Sequence, residues 1–133
     1  MNKISIKAVT VGAVLDNATT LFLMTFLAAA LVSTGLSEDE VMTRMKSTNG
    51  LLLGLIIGLG CTGLGAYVAG RIAKQSEVLH GGLVAVIGMI FAFIFREGGV
   101  PAWFDILGFA AMLPAGMGGG YIAEARRRSG TEK

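Results

Sequence analysis

The sequence predicts an all-α fold, a polytopic membrane protein in which four transmembrane helices pack through glycine within a single domain spanning residues 1–133. Hydrophobic residues make up 53% of the chain, charged residues 15%, and glycine alone accounts for 20 positions. Soluble domains carry roughly a quarter charged residues, and the mean hydropathy here is +0.70. The apolar residues fall into four runs, at about 8–34, 49–71, 78–95 and 102–123, and a membrane-spanning helix needs about 20 such residues.

Lysine and arginine are distributed unequally among the segments that flank these runs. Eight of them lie in the N-terminus, the second loop and the C-terminus, and three lie in the first and third loops. Because positive residues are retained on the cytoplasmic side, we expect both termini inside, in a multi-pass protein of the cell inner (plasma) membrane. The first run exceeds the roughly 7–15 apolar residues of a signal peptide, so it is predicted to be a helix of the mature protein.

The second run carries a small residue at every fourth position. Lipid does not drive helices together as water does, and small residues at this spacing, as in GxxxG, let helix backbones approach closely. The pattern therefore predicts that the second helix is central and that the other helices pack against it. The helix-packing residues are Gly50, Gly54, Gly58, Thr62, Ala66 and Gly70.

The first run contains a cluster of polar residues, Asp16, Asn17, Thr19 and Thr20. Asp16, Thr19 and Thr20 share one helix face, because residues three and four apart are neighbours. A carboxylate at the centre of a span costs about 2.5–3.5 kcal/mol and should have a partner or a use. One interpretation is a proton or ion site; the other is a carboxylate near the headgroups that its own neighbours hydrogen-bond.

The segments between the runs carry weaker patterns. Ser37 and Glu40 match a capping box, so we expect a short amphipathic helix on the outer surface, with a solvated loop as the alternative. The third run has no polar residue after Gly82, and we expect much of it to face lipid. Arg96 and Glu97 are expected to pair in solvent.

The remaining candidates for chemistry are isolated. His80 is the only histidine and Cys61 the only cysteine, and a metal site needs several ligands at set spacing; we expect an interface residue and a packing residue. Asp105 is expected to serve the positive N-terminus of the fourth helix. The sequence predicts no cofactor, no metal and no enzyme active site, and a net charge of +2 is too small to indicate nucleic acid.

The second and fourth runs resemble each other at their inner ends. Residues 65–69 (GAYVA) match residues 119–123 (GGYIA), and basic residues follow both. A duplicated helical hairpin is one explanation. The other is that equivalent helix ends converged on small residues, a tyrosine anchor and basic flanks.

The pattern at residues 65–73, followed by His80 and Gly81, resembles a loose group of small four-helix bacterial membrane proteins without an assigned activity. The resemblance implies the four-span layout and no chemistry. In size the chain is also similar to the small multidrug transporters and the fluoride channels. The first-helix glutamate of the former is not matched, since Asp16 has a different surrounding, and no motif of the latter is present.

Two functions remain open at this level. The abundance of small residues favours a protein that acts through helix packing, as a homo-oligomer or as an accessory subunit of a membrane complex, with the lipid bilayer and other membrane subunits as its partners. The alternative is a small proton- or ion-coupled transporter or channel that uses Asp16.

Overall fold

A computed structural model describes residues 4–96 and 98–131 and folds them into five α-helices. Within those ranges there is no β-strand. Four helices, α1, α3, α4 and α5, are long and apolar enough to cross a membrane, which confirms the all-α class and the four candidate spans. The helices are α1 (Ile6–Ser33), α2 (Glu38–Lys46), α3 (Thr48–Ala73), α4 (Glu77–Ile94) and α5 (Ala102–Thr131).

Helix boundaries follow the local sequence closely. The Ser5 hydroxyl caps α1, and the Ser37–Glu40 capping box begins α2, so the predicted short helix is confirmed and the solvated loop is not observed. The fourth predicted run ends at residue 123, but α5 continues to Thr131. Its last turns are rich in good helix formers, and Glu124 and Arg128 form an i,i+4 ion pair there.

The four long helices alternate in direction along the chain. The starts of α1 and α4 meet where the backbone N–H of Ser5 donates to His80, and the last turns of α5 reach the same place through Arg127, which pairs with Glu77. We call this the basic end of the bundle. The opposite end, where α2 and the 95–101 connection lie, is called the α2 end.

Helix α3 lies at the centre of the bundle and contacts all four other helices. Toward the basic end, the helices approach so closely that no side chain fits between them. A methyl group added at Gly65 would lie 2.5 Å from the carbonyl oxygen of Gly12, and one added at Gly116 would lie 2.5 Å from that of Gly81. Glycine is required at these positions because the opposing atoms are backbone and cannot turn away.

The third run, much of which is expected to face lipid, also has a buried face. In α4 33% of the most apolar stretch is buried, the largest share among the four candidate spans. Gly81, Ala85 and Gly88 recur on one face of α4 and are buried, and Gly81 and Ala85 meet Gly116 of α5. An absence of polar residues does not distinguish a lipid-facing helix from one whose small residues pack inside.

Candidate functional site

Asp16 is buried inside the bundle and bonded to α3. The Thr62 hydroxyl donates to both carboxylate oxygens, at 3.2 Å each. Asp16 is only 4% exposed and Thr62 is fully buried. The predicted polar face of the first helix and the predicted small-residue face of the second therefore meet at this hydrogen bond.

Neighbouring glycines bring this carboxylate between three helices. Close packing of Gly12 on Gly65, one turn toward the basic end, holds α1 against α3. Across the gap, a methyl group at Gly88 of α4 would lie 3.2 Å from Oδ2 of Asp16. A residue larger than glycine at position 88 would therefore crowd the carboxylate of Asp16.

A cavity of about 680 Å³ begins at Asp16 and extends toward the α2 end, between α1, α3, α4 and α5. Glycines leave open space in this cavity, whereas at the basic end glycines let the helices pack in close contact. Gly54, Gly58 and Gly108 all line it, and a methyl group at Gly58 would meet no atom within 4 Å. The buried core residues Ala66, Ala69 and Val84 close the bundle beyond Asp16.

The walls of the cavity are mainly apolar and aromatic. Near Asp16 the polar lining consists of Asn17, Thr20 and Thr62. Most of the remaining lining comes from large apolar side chains on α3, α4 and α5 or directly after α4, among them Leu59, Phe91, Phe95, Phe104, Phe109 and Met112.

An ion pair stands at the other end of the cavity. Arg96 Nη2 lies 2.5 Å from Oδ2 of Asp105, with side chains 51% and 21% exposed. From Gly88, beside Asp16, to Ile94, where α4 ends, the helix advances six residues, or about 9 Å at 1.5 Å per residue. Arg96 follows two residues later. Because Arg96 and Asp105 offset each other, the described residues of the lining are left with the single negative charge of Asp16.

The predicted site residues of α1 are not all brought together. Thr20 lines the cavity next to Asp16. Asn17 also lines it, but its Nδ2 donates to the carbonyl of Ala13 at 2.8 Å, so part of its hydrogen-bonding capacity serves its own helix. Thr19 is half-buried and does not line the cavity.

The predicted helix-packing residues of α3 have three different surroundings. Gly54, Gly58 and Thr62 line the cavity. Ala66 and Gly70 are buried in the closely packed half, and a methyl group at Gly70 would lie 2.8 Å from Cβ of Ala123. The sixth residue, Gly50, lies against the last turn of α2, where a methyl group would meet the Met45 carbonyl oxygen at 2.6 Å.

Asp105 and Arg96 meet at the α2 end of the bundle. Asp105 lies in the first turn of α5 as predicted, and its partner is Arg96. The predicted pairing of Arg96 with Glu97 stays a prediction, because Glu97 lies outside the described ranges. Lys3 and Lys133, which enter the charge count, also lie outside them.

The sequence did not lead us to expect two buried polar residues at the basic end, Glu77 and His80. Glu77 is 1% exposed and accepts a hydrogen bond at 2.5 Å from Arg127 Nε, and His80 is fully buried. His80 Nε2 accepts the N–H of Ser5 at 2.9 Å, so Nδ1 carries the proton and donates to the carbonyl of Ser76, also at 2.9 Å. Helical spacing could have indicated a buried face of α4 that includes both residues. The positions that recur at this spacing are 77, 80, 81, 84, 85 and 88.

Comparisons with known proteins give no family: no protein-family model, no curated protein and no solved structure matches the chain. In the part of the chain that the structure describes, no three His, Cys, Asp or Glu side chains are grouped as metal ligands would be. The carboxylate at the closed end of an apolar cavity is thus the strongest candidate for a functional site.

Proposed function

We propose that this protein is a small membrane transporter that binds a proton or a cation at Asp16. The observation that carries the proposal is the burial of this carboxylate at the closed end of an interhelical cavity. Charged groups inside membrane segments are costly and commonly mark ion or proton pathways.

The hydrogen bonding of Asp16 supports a need for a further partner. The Thr62 hydroxyl carries one hydrogen, and both carboxylate oxygens share it at 3.2 Å. An ionised carboxylate offers about four acceptor sites. The Thr62 and Thr20 hydroxyls are its two side-chain donors, so part of that capacity is left for a ligand in the cavity. A proton or a cation at this position would neutralise the charge that the bundle otherwise buries.

Competition between a proton and a cation for the Asp16 carboxylate would couple the movement of one to the movement of the other. A bound cation displaces the proton from Asp16, and protonation releases the cation, so each binding event drives the exit of the other. In the orientation we propose, with both termini cytoplasmic, the cavity extends toward the outer surface and the tight glycine contacts at Gly12 and Gly65 close the inner side. Transport requires a second state in which those contacts separate.

The test is flux in proteoliposomes that contain a pH-sensitive dye and carry an imposed membrane potential. We expect proton or cation flux with the wild-type chain and none with Asp16→Asn, whose amide keeps the size of the side chain and cannot ionise. Asp39→Asn, on the exposed surface of α2, removes a carboxylate elsewhere and should retain the flux. Equal flux in wild type and Asp16→Asn would overturn the proposal, and so would the absence of flux in the wild type across protons, inorganic cations and organic cations.

A second candidate function is helix packing with partners, as a homo-oligomer or an accessory subunit. Two glycines favour it: methyl groups at Gly60 and Gly118 would meet no atom of this chain within 4 Å, and neither residue lines the cavity. Such positions would let another helix approach closely. Gly60→Leu should lower the association state in native mass spectrometry from mild detergent, and a monomeric wild type with nothing co-purifying would count against this function.

A further inference from the structure

We infer that the cavity takes a lipophilic organic monocation, whose charged group lies at Asp16 and whose apolar body lies among the aromatic side chains toward the α2 end. This inference rests on the proposed function, since it names the class of cation that the same site would bind. Charge, wall chemistry and size each support it independently.

The charge of the cavity favours a single positive charge in the ligand. Among the described residues of the lining, Asp16 is the one charge without an oppositely charged partner, because Arg96 and Asp105 neutralise each other at the far end. A dication would place its second charge against apolar walls, where an unpaired charge is strongly disfavoured. An anion would meet Asp16 directly.

The walls favour an organic cation over a hydrated metal ion. A hard cation takes several oxygen ligands, and beside Asp16 the described lining offers only the side chains of Asn17, Thr20 and Thr62. Beyond them the rings of Phe91 and Phe104 and the side chains around them are apolar. Aromatic faces attract cations, and desolvation strengthens that attraction.

The dimensions suit one small molecule. Ligand cavities commonly measure about 300–1,000 Å³, and this one measures about 680 Å³. Its extent along α4, about 9 Å from the helical rise between Gly88 and Ile94, exceeds what a bare ion would occupy. An apolar body extending from the charged group would fill the part of the cavity that Asp16 does not reach.

The probe is tetraphenylphosphonium, measured by equilibrium binding to the protein in lipid nanodiscs, with empty nanodiscs subtracted. Tetraphenylborate has nearly the same shape and the opposite charge, so it controls for partition into lipid. We expect saturable binding of the phosphonium alone, weakened at least about tenfold in Asp16→Asn, a change equivalent to about 1.4 kcal/mol. Equal binding of both ions, or equal binding of the phosphonium to wild type and Asp16→Asn, would overturn the inference.

A second pair of variants separates cavity filling from damage to the fold. Gly58→Leu places a side chain in the open space of the cavity, and Gly130→Leu places the same side chain near the end of α5, outside the lining and with no atom within 4 Å of the added Cβ. Gly58→Leu should weaken phosphonium binding at least about tenfold and Gly130→Leu should leave it within about twofold. Matching effects of the two substitutions would contradict binding in the cavity.

The binding experiment and the flux experiment test different claims, so either can fail without the other. If flux depends on Asp16 but the phosphonium does not bind, the transporter proposal stands and the organic cation is excluded as the ligand class. If the phosphonium binds through Asp16 but neither protons nor cations cross the membrane, the ligand class stands and the transport function is excluded.

Discussion

At the scale of single residues, the bond between Asp16 and Thr62 links the only predicted polar cluster of a span to the small-residue face of its neighbour. A threonine fits here because it is small enough for close helix approach and still supplies a hydroxyl. The four-residue spacing predicted a small residue at 62 but not its use as a donor, since spacing identifies a helix face and not what lies opposite it.

Thr62→Val tests the contribution of this hydroxyl, because valine has nearly the same shape and no donor. We expect a loss of about 1 kcal/mol in unfolding free energy, in the range of interhelical hydrogen bonds within membranes. Reversible unfolding in mixed micelles measures it. In the Asp16→Asn background the same substitution should cost a different amount, and strict additivity of the two changes would argue against a direct interaction.

Glu40 provides a pH-dependent contact outside the spans. The Ser37 backbone N–H and hydroxyl donate to its carboxylate and hold the pKa of Glu40 below its ordinary value. Because the folded pKa is depressed, this contact stabilises α2 above the pKa of unfolded glutamate and is lost as the pH falls through the lower, folded value. The Ser37 amide-proton resonance should follow that titration by NMR, with a midpoint below that of an ordinary glutamate. Glu40→Gln should remove the titration, and a midpoint at or above the ordinary value would contradict the capping contact.

At the scale of helices, one residue type does opposite things in the two halves of the bundle. Gly65 and Gly58 both lie on α3, within two turns of each other, yet one touches backbone and the other borders empty space. No sequence pattern distinguishes them, because the difference depends on how far apart the neighbouring helices are at each level. The four spans and the central position of α3 could be predicted from the sequence; the cavity could not.

Gly65→Ala should disturb the bundle and Gly60→Ala should not. The added methyl group of the first would lie 2.5 Å from a carbonyl oxygen of α1, whereas that of the second meets nothing within 4 Å. Overpacking of this kind costs about 1–3 kcal/mol, and alanine is the better helix former where space permits. Thermal unfolding in detergent compares the two variants, and equal midpoints would show that α1 and α3 are not in close contact there.

At the scale of the whole molecule, polar anchoring lies at the basic end and open space lies toward the α2 end. Glu77 was missed because it precedes the third predicted run, and a glutamate between two runs is normally solvated. His80 lies within that run but was expected to be an interface residue. In the structure they begin α4 and tie it to α1 and α5. Tertiary contacts, which a linear reading does not contain, gave these two residues their role.

The proposed orientation predicts which surface positions are reachable from outside the cell. Single cysteines at positions 43 and 98 should react with an impermeant maleimide in intact cells, and those at positions 5 and 76 should react only after permeabilisation. The native Cys61 is buried and serves as the background. Labelling at position 5 or 76 without permeabilisation would reverse the orientation and place the cavity opening on the cytoplasmic side.

The division of the glycines also bears on how such a chain can change over generations. Near Gly12 and Gly65 any larger side chain would clash with backbone. Substitutions there would disrupt the fold and would not be retained. At Gly58 an added methyl group meets no atom within 4 Å, so a substitution there changes mainly the room left for the proposed ligand. A lineage built on this bundle can therefore gain or exclude ligands by single substitutions in one half while the other half stays nearly invariant.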